Sequence, residues 1–479
     1  MTDDTVTSEN ATVQPEAAKT ESHDQPVPEA YANFMRQGWG DRELDLPPHP
    51  VSAWAAKRRA RLAEMFPGER LVVPAGTFKV RANDTDYRFR PDTAHTYLTG
   101  NQTSDAVLVI DEGDAVLYAR PRSSRETDEF FRDRQYGELW AGRRPSLKEM
   151  ETSLGLTCRH LDQLPDVLRA SGKTRLLRGV DARVDAEVSA DETRDEEFAR
   201  ALSELRLVKD PWELEQLQEA CDITTLGFAD SVREWDNVLK YGERWIEGTF
   251  FRRARAMGND IGYDSIVGGG KHATTLHWIE NSGPVTPGEL LLLDMGVEAS
   301  TLYTADVTRT LPVDGTFTPL QRDLYSLVLD AQQAGIDAVK PDVPFRDPHD
   351  AAMRVLANGL DGMGLLPCSV DEALSSDSKV YARWTLHSTS HMLGLDVHDC
   401  AQASTDVYPR GDLAAGMVLT VEPGLYFQED DLLVPEELRG IGIRIEDDIV
   451  VTEDGYRNLS KALPRDVAGI EQWMAALRA

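Results

Sequence analysis

Five residues in the last third of the chain combine four carboxylates with one imidazole: Asp294, Asp306, His391, Glu422 and Glu446. Each lies in or beside a short apolar segment that is typical of a strand. Four free carboxylates in one pocket raise each other's pKa, because like charges repel at short distance. Two divalent cations would neutralise all four, and oxygen ligands with one imidazole suit Mn(II), Co(II) or Zn(II). These residue types predict a dinuclear metal site with hydrolytic chemistry.

Histidines are concentrated in the same region. His387, His391 and His398 lie within the segment HSTSHMLGLDVHD, between two acidic strands, and His277 precedes them in the chain. A single histidine is more often structural than a ligand, whereas three so close together indicate a site.

Each residue taken alone also has a purely structural interpretation. An aspartate at a strand end, such as Asp294 or Asp306, often only forms the following turn. Arg444 and Glu446 lie two apart in a predicted strand, so they face the same side and could form a surface salt bridge. Other chemistries lack a motif: residues 268–271 have the wrong spacing for a phosphate-binding loop, and the sequence contains no GxSxG motif.

Length and composition limit the class of protein. The 479 residues allow two to three domains, and the net charge of −31 disfavours nucleic acid and anionic membranes as partners. The four cysteines show no CxxC spacing, which a reducing cytoplasm permits. No segment reaches the ~18 apolar residues of a membrane helix. The N-terminus lacks the features of a secretion signal. We therefore expect a cytoplasmic protein.

The first part of the chain divides into a tail and a domain. Residues 1–30 are acidic and nearly free of large apolar side chains, which predicts a disordered tail. Residues 31–200 predict a mixed α/β domain with a helix at 52–65, a strand at 71–74 and a hairpin of strands 106–110 and 115–118.

Residues 201–479 predict a second domain that carries the acidic residues. Asp210, Pro211 and Glu213 have the spacing of an N-cap, a first helical residue and a capping box, so a long helix should begin there. Apolar runs predict strands at 289–297, 303–311, 417–423 and 441–451, with helices at 319–340 and 349–363. A chain reversal at 296–301 would bring Asp294 and Asp306 to one end of a sheet. The fold class is α+β, with helices behind an antiparallel sheet.

Several stretches resemble a known family: LHWIEN, LLLDMGVE, YTADVTRTLPV, HSTSHMLGLDVHD, TVEPGLY and GIGIRIEDDIVVT. In order and spacing they are similar to the creatinase/aminopeptidase ("pita-bread") metallopeptidases, most closely the aminopeptidase P (Xaa-Pro aminopeptidase) group. DYRFRPDTAHTYLTG followed by AVLVI resembles the creatinase-type N-terminal domain. The resemblance covers residues 45–465. It implies a C-terminal pita-bread catalytic domain behind a mixed α/β N-terminal domain.

The resemblance also implies a ligand set. Asp294 would bind one metal, Asp306 and Glu446 would bridge both, and His391 and Glu422 would complete the shell of the other. Mn(II) is usual in the family, and Co(II) and Zn(II) are also seen. The two ions would share a hydroxide that attacks the peptide bond.

Catalytic roles follow from the same resemblance. Glu422 would shuttle a proton from the water to the leaving prolyl nitrogen. His277 and His398 would hold the substrate carbonyl and the tetrahedral oxyanion, and His387 would line the proline side of the pocket. Arg444 would orient the carboxylates. The implied substrates are peptides with proline at position two, and the implied assembly is a homodimer or homotetramer.

Alternative functions share parts of this pattern. An Xaa-Pro dipeptidase would keep all five ligands. It would cleave only dipeptides, whereas an Xaa-Pro aminopeptidase also cleaves longer peptides. Methionine aminopeptidases lack an N-terminal domain of this size, and creatinase activity does not need the metals. A non-catalytic binding protein on the same fold is disfavoured because no ligand position has been lost.

Overall fold

The computed structural model describes residues 26–40 and 42–479. The predicted disordered tail lies outside the described residues up to residue 25, and the helix Glu29–Met35 begins within its last positions. The described residues divide into two compact units, one within residues 26–45 and 121–149 and one of residues 46–120 and 150–479. The division into domains at residue 200 stays a prediction.

Aromatic packing organises the smaller unit, whose helices include Glu29–Met35, Glu129–Arg132 and Glu138–Ala141. Phe130 is buried, and its ring packs edge-on against Trp39 with centroids 5.0 Å apart. The Trp140 indole donates to the backbone carbonyl of Phe131 at 2.7 Å. Helices this short are not stable alone, so these contacts hold them in place.

A five-stranded sheet forms the N-terminal part of the larger unit. Its strands in spatial order are Thr157–His160, Asp114–Ala119, Val107–Asp111, Arg70–Pro74 and Thr174–Leu176. The central pairs are antiparallel, and each edge strand runs parallel to its neighbour. The predicted strand at 71–74 is confirmed. The predicted hairpin is also confirmed, with Asp111 opposite Asp114 at the turn.

Helices accompany this sheet, and the helix Ser52–Met65 has the bounds predicted from the sequence. The others are Thr93–Thr99, Leu147–Leu154, Leu164–Arg169, Ala182–Glu187 and Glu192–Leu205. A separate ribbon pairs Val80–Ala82 with Thr85–Asp86. Apolar side chains of the sheet, such as Val72 and Leu176, are fully buried in the core between these elements.

The long helix Pro211–Arg233 opens the C-terminal part, as the capping pattern predicts. The Asp210 carboxylate accepts from the Glu213 backbone N–H, and the Glu213 carboxylate accepts from that of Asp210, which satisfies two otherwise free donors. The helices predicted at 319–340 and 349–363 are confirmed. The helices that follow Pro211–Arg233 are Trp235–Tyr241, Glu243–Met257, Pro319–Ala338, Asp347–Gly362, Val370–Leu374 and Val467–Arg478. The 3₁₀ turns of this part are Gly270–Thr274, Val380–Trp384 and Glu436–Leu438, and the N-terminal part has another at Leu161–Gln163.

Small antiparallel sheets position the acidic residues. One has the order Thr308–Pro312, Leu290–Asp294, Ile266–Gly269, and another the order Val418–Val421, Asp447–Thr452, Gly455–Asn458. Two-stranded ladders join Val297–Glu298 to Asp260–Ile261 and Gly424–Phe427 to Ile441–Arg444. Asp294 lies opposite Thr308, so the predicted chain reversal does bring Asp294 and Asp306 to the same end of one sheet.

Three predicted strands are wrong in part. The stretch predicted at 289–297 is divided between Leu290–Asp294 and Val297–Glu298, which belong to different sheets. In the stretch predicted at 303–311, only Thr308–Pro312 joins the ladder, because Thr304 donates its backbone N–H to the Gly394 carbonyl instead. The stretch predicted at 441–451 is two strands in different sheets. The backbone changes partners between them, where Glu446 N–H donates to the Thr308 carbonyl at 3.1 Å. Arg444 and Glu446 therefore do not share one strand, and alternation of residue types could not reveal this change of partner.

The largest apolar core of the C-terminal part lies between these sheets and the surrounding helices. Phe228, Phe250, Leu291 and Leu356 are completely buried in it. Among the described helices, none combines the length and apolar character that crossing a membrane requires.

Candidate metal centre

The five predicted ligands converge at the ends of these small sheets, and we call them the ligand cluster. Asp294 ends its strand, Glu422 follows Val418–Val421, and Glu446 sits at the change of partner described above. One possible ligand atom from each of Asp306, His391 and Glu446 lies within 4.8 Å of the other two. The Tyr263 hydroxyl links Asp294 to Asp306, and Glu422 lies beside His391.

His391 presents one defined nitrogen to the carboxylates. Its Nε2 is 3.4 Å from Asp306 Oδ2 and 3.5 Å from Glu422 Oε1. Its Nδ1 lies 3.2 Å from the Met392 carbonyl, which fixes the Nδ1–H there and leaves Nε2 for a metal. Burial lowers the pKa of His391, but the hydrogen bond to Asp306 and the charges of Glu422 and Asp306 outweigh burial and raise it to about 9.

The buried carboxylates resist being charged together. Burial raises the pKa of Glu422 to about 7 and that of Glu446 well above its usual value, and the neighbouring carboxylates add to both shifts. Burial also raises the pKa of Asp294, although Arg444 opposes the shift. Burial acts on Asp306 in the same direction, but the hydrogen bonds from His391 and Tyr263 lower its pKa overall. Oxygen donors with one free imidazole nitrogen fit divalent cations, which would relieve this repulsion.

Arg444 and Thr308 fix the orientation of two ligands. The Arg444 guanidinium donates to Asp294 Oδ2 and, through Nε at 3.2 Å, to the Thr308 hydroxyl. Thr308 donates in turn to Glu446 Oε2 at 2.6 Å. Arg444 is thus not part of an exposed salt bridge, and its contact is with Asp294. Thr308 went unnoticed in the sequence, although it lies in the stretch YTADVTRTLPV.

Tyr263 is a second residue that the sequence did not single out. Its hydroxyl lies 2.6 Å from Asp294 Oδ1 and 2.5 Å from Asp306 Oδ1, and a phenol has one proton to share between them. Burial raises the pKa of Tyr263 well above its usual value, and the two aspartates add to the shift. No short motif surrounds it, so only the folded chain reveals the contact.

Three further predicted residues, His277, His387 and His398, surround the ligand cluster, and we call them the histidine rim. His387 Nδ1–H points to the Ser388 carbonyl, and its Nε2 is 2.8 Å from the Tyr426 hydroxyl, which Arg444 also contacts. Burial lowers the pKa of His387 to about 4, and the Arg444 charge contributes. His387 is therefore neutral near pH 7.

The other two members of the histidine rim are exposed. The His398 ring stands edge-on to the His391 ring, with centroids 4.4 Å apart. Burial lowers the pKa of His398, and the charges of His391 and His277 lower it further. The charge of His277 also lowers the pKa of His387, so His277 lies close enough to act on both of the other histidines.

A buried carboxylate outside the predicted set anchors the segment that carries His277. Glu243, at the start of its helix, accepts four hydrogen bonds. The donors are the backbone N–H groups of Gly269 and Gly283, the His272 ring and the Trp278 indole, at 2.6–2.9 Å. His272 and Trp278 stack with centroids 4.0 Å apart. His277 thus sits in a segment that Glu243 holds on both sides.

Comparison with known proteins agrees with this geometry. The chain matches the model for metallopeptidase family M24 over residues 215–453 and the model for the aminopeptidase P N-terminal domain over residues 55–177. It is 55% identical over 460 residues to Xaa-Pro aminopeptidase 1 of Streptomyces coelicolor, covering 94% of this chain and 93% of that protein. It is 34% identical over 439 residues to the Xaa-Pro aminopeptidase of Haemophilus influenzae, covering 89% and 97%.

Solved structures give the same result. Aminopeptidase P from E. coli with the inhibitor Pro-Leu superimposes with a TM-score of 0.79 at 30% identity, covering 90% of this chain and 99% of that one. A zinc-substituted form of the E. coli protein in complex with product gives 0.78, also at 30% identity, covering 90% and 100%. The predicted fold class is therefore confirmed, and the chain belongs to the aminopeptidase P group of the M24 metallopeptidase family.

Proposed function

We propose that this chain is an Xaa-Pro aminopeptidase, which removes the first residue from peptides with proline at position two and uses two divalent metal ions. The observation that carries the proposal is the grouping of Asp306, Glu422 and Glu446 around the imidazole of His391, with Asp294 joined to Asp306 through the Tyr263 hydroxyl. Relatives named Xaa-Pro aminopeptidase align over nearly the whole chain, which supports the same reaction.

The ligand cluster would hold the metals as the family resemblance implies. Asp294 would bind one ion, Asp306 and Glu446 both, and His391 and Glu422 the other. Mn(II) is our first choice, and Co(II) and Zn(II) fit the same donors. When bound, the two ions supply a water whose pKa is low enough for nucleophilic attack near neutral pH.

Glu422 is suited to move the proton. It lies beside His391 at 3.5 Å, within the ligand cluster, and a positioned carboxylate of this kind can serve as a general acid and base. Glu422 takes a proton from the attacking water and gives it to the prolyl nitrogen as the bond breaks. Without that proton the nitrogen would have to leave as a strongly basic amide anion, so it needs such a donor.

The histidine rim would bind the substrate. His277 and His398 are exposed beside the ligand cluster, where they hold the substrate carbonyl and the developing oxyanion. His387, kept neutral and fixed by Tyr426, lines the proline side. Arg444 keeps Asp294 in position from behind.

The wider setting of the enzyme also stays a proposal. We expect a cytoplasmic homodimer or homotetramer, with an N-terminal domain of residues 31–200 and a catalytic domain of residues 201–479.

Digestion of matched peptides tests the function. Chelated protein should be inactive and should regain activity with Mn(II), cleaving Xaa-Pro peptides of increasing length but not their Xaa-Ala counterparts. Cleavage confined to Xaa-Pro dipeptides would favour the dipeptidase alternative. Absence of hydrolysis with Mn(II), Co(II) and Zn(II), together with no metal uptake, would favour a binding protein.

A further inference from the structure

We propose that Arg90, a residue of the N-terminal part, is a positioning residue for His398 and acts through the loop of residues 394–399, here called the His398 loop. The proposal rests on the role of His398 in the proposed function. It assigns the N-terminal part a direct contribution to the geometry of the active site.

The His398 loop cannot hold its shape through regular structure. Residues 394–399 form neither helix nor strand. Just outside and at its end, backbone bonds run from Leu393 N–H to the Val418 carbonyl and from Asp399 N–H to the Met392 carbonyl. Inside the loop, the Gly394 N–H donates to the Asp396 carbonyl at 3.1 Å, and the Gly394 carbonyl accepts from the Thr304 N–H at 2.9 Å. The Leu395 carbonyl and the Asp396 side chain need further partners from elsewhere in the fold.

Arg90 supplies such partners. Its Nη2 donates to the Leu395 carbonyl at 2.8 Å and to Asp396 Oδ1 at 3.2 Å. Its Nε donates to Glu298 Oε2 at 2.6 Å, and buried Glu298 also accepts from the Asn259 amide at 2.7 Å. The planar guanidinium therefore spans a fixed carboxylate and the loop, a geometry that a lysine could not reproduce.

A second donor of the N-terminal part reinforces this attachment. The Thr93 hydroxyl donates to Asp396 Oδ1 at 2.6 Å and accepts from Arg90 Nη1 at 3.2 Å. Arg90, Thr93 and Asp396 form a closed set of contacts on one side of His398.

The other side of His398 is held by a buried charge cluster. Asp399 accepts from Arg206 Nε at 3.0 Å and from Lys209 Nζ at 2.8 Å, and burial does not prevent these cations from lowering its pKa to about 2. His398 thus lies between two charged attachments, Asp396 and Asp399. Removing a partner from the buried cluster would endanger folding. Arg90 is 35% exposed, and its buried partner Glu298 keeps the Asn259 amide as a donor, so loss of Arg90 should cost less stability than loss of Arg206 or Lys209.

A double-mutant cycle tests the proposal. Arg90→Ala should lower kcat for an Xaa-Pro peptide by about tenfold, since small displacements of a catalytic group are costly. KM and metal content should stay nearly unchanged, and the unfolding temperature should fall because Glu298 loses its cation. In a His398→Ala background the same change should cost less than about twofold, because the residue it positions is already gone.

Neighbouring residues provide matched controls. Arg88 lies in the same segment and pairs with Asp260, without contact to the His398 loop, so Arg88→Ala should stay near wild type. Thr93→Val should reproduce part of the Arg90→Ala defect, and Thr93→Ser, which keeps the hydroxyl, should restore activity.

The outcomes separate this proposal from the function on which it rests. The proposal alone would be overturned if His398→Ala causes a large loss and Arg90→Ala lowers kcat by the same factor in the His398→Ala background as in the wild type. A wild-type kcat in Arg90→Ala would also overturn the proposal alone. Full activity of His398→Ala would overturn the assigned role of His398 together with the proposal. Independently of activity, the His398 ring NMR signal should shift in Arg90→Ala but not in Arg88→Ala, and an unchanged signal would also overturn it.

Discussion

The ligand cluster and the histidine rim lie side by side, yet the fold holds them in different ways. The ligand cluster is buried at the ends of paired strands, where the ladder that pairs Asp294 with Thr308 sets the backbone. The histidine rim lies in irregular segments, and side chains from distant parts of the chain hold it. Glu243 holds the segment of His277, Tyr426 contacts His387, and Arg90 holds the loop of His398.

This difference teaches that metal affinity and turnover should respond separately to mutation. The ligand cluster is expensive to keep charged without cations, so each ligand is needed before any chemistry begins. The histidine rim has no such electrostatic demand. Changes there, or in the residues that hold it, should leave the metals bound and act on the transition state.

The largest effect should come from Asp306, which would bridge both ions. Asp306→Ala should abolish binding of both metals and reduce activity by more than about a hundredfold. Mutation of residues that only support a metal ligand already lowers activity by about 10–100-fold, so loss of a ligand should cost more. Metal content by mass spectrometry and hydrolysis of an Xaa-Pro peptide measure the two effects. The control is Asp314→Ala, an exposed aspartate beyond the far end of the strand Thr308–Pro312 that follows Asp306. Normal metal content in Asp306→Ala would remove it from the ligand set.

His277→Ala should show the opposite pattern. We expect two bound metals and a kcat reduced about 10²–10³-fold, as for loss of one oxyanion donor. The control is His160→Ala, an exposed histidine of the N-terminal sheet that caps a 3₁₀ turn. Loss of metal from His277→Ala would show that the histidine rim also contributes to metal binding.

The sequence predicted that the members of the ligand cluster lie together, and the structure brings them together, whereas metal binding by them stays a prediction. Four of the five are carboxylates in or beside predicted strands, so residue type and spacing already indicated the grouping. The long helix at Pro211 was equally readable, because Asp210 and Glu213 interact within four residues of chain.

Residues that act through tertiary contacts could not be predicted from the sequence. Tyr263 and Glu243 lie far in the chain from several of their partners, and neither stands in a pattern that names them. The change of ladder partner at Glu446 depends on Thr308, a residue of another sheet, so the run 441–451 looked like one strand. The histidine rim itself was found only because its members cluster in sequence and match a family.

The electrostatics of the ligand cluster predict a pH effect on stability. Glu422 with a pKa of about 7, against an ordinary 4.5, and His391 with about 9, against 6.5, both bind protons more tightly in the folded chain. Their contribution to the stability of the metal-free protein is complete below the ordinary values. It is lost as the pH rises through the shifted ones. Metal must displace these protons, so the rise in unfolding temperature caused by Mn(II) should grow between about pH 5 and pH 8.

Thermal unfolding with and without Mn(II) across this range measures the effect. In the metal-free protein, Glu422→Gln should make the unfolding temperature less dependent on pH near pH 7, because the titrating carboxyl group is gone. A metal-induced stabilisation that shrinks as the pH rises would show that protons and metal do not compete at this cluster.

The smallest effect should come from Trp278, which follows His277 in the chain and supports it only through Glu243 and His272. Trp278→Phe keeps the ring that stacks on His272 but removes the indole donor to Glu243 Oε2, so the segment of His277 should loosen slightly. We expect kcat to fall about threefold, well below the loss for a displaced catalytic group, with full metal content. Trp245→Phe removes an indole–carboxylate bond of the same kind, 2.7 Å to Glu234, away from that segment. If both variants lose activity equally, the loss reflects a general effect of removing an indole hydrogen bond and not the support of His277. A defect confined to Trp278→Phe, and absent when His277 is already alanine, places Glu243 in the support of the histidine rim.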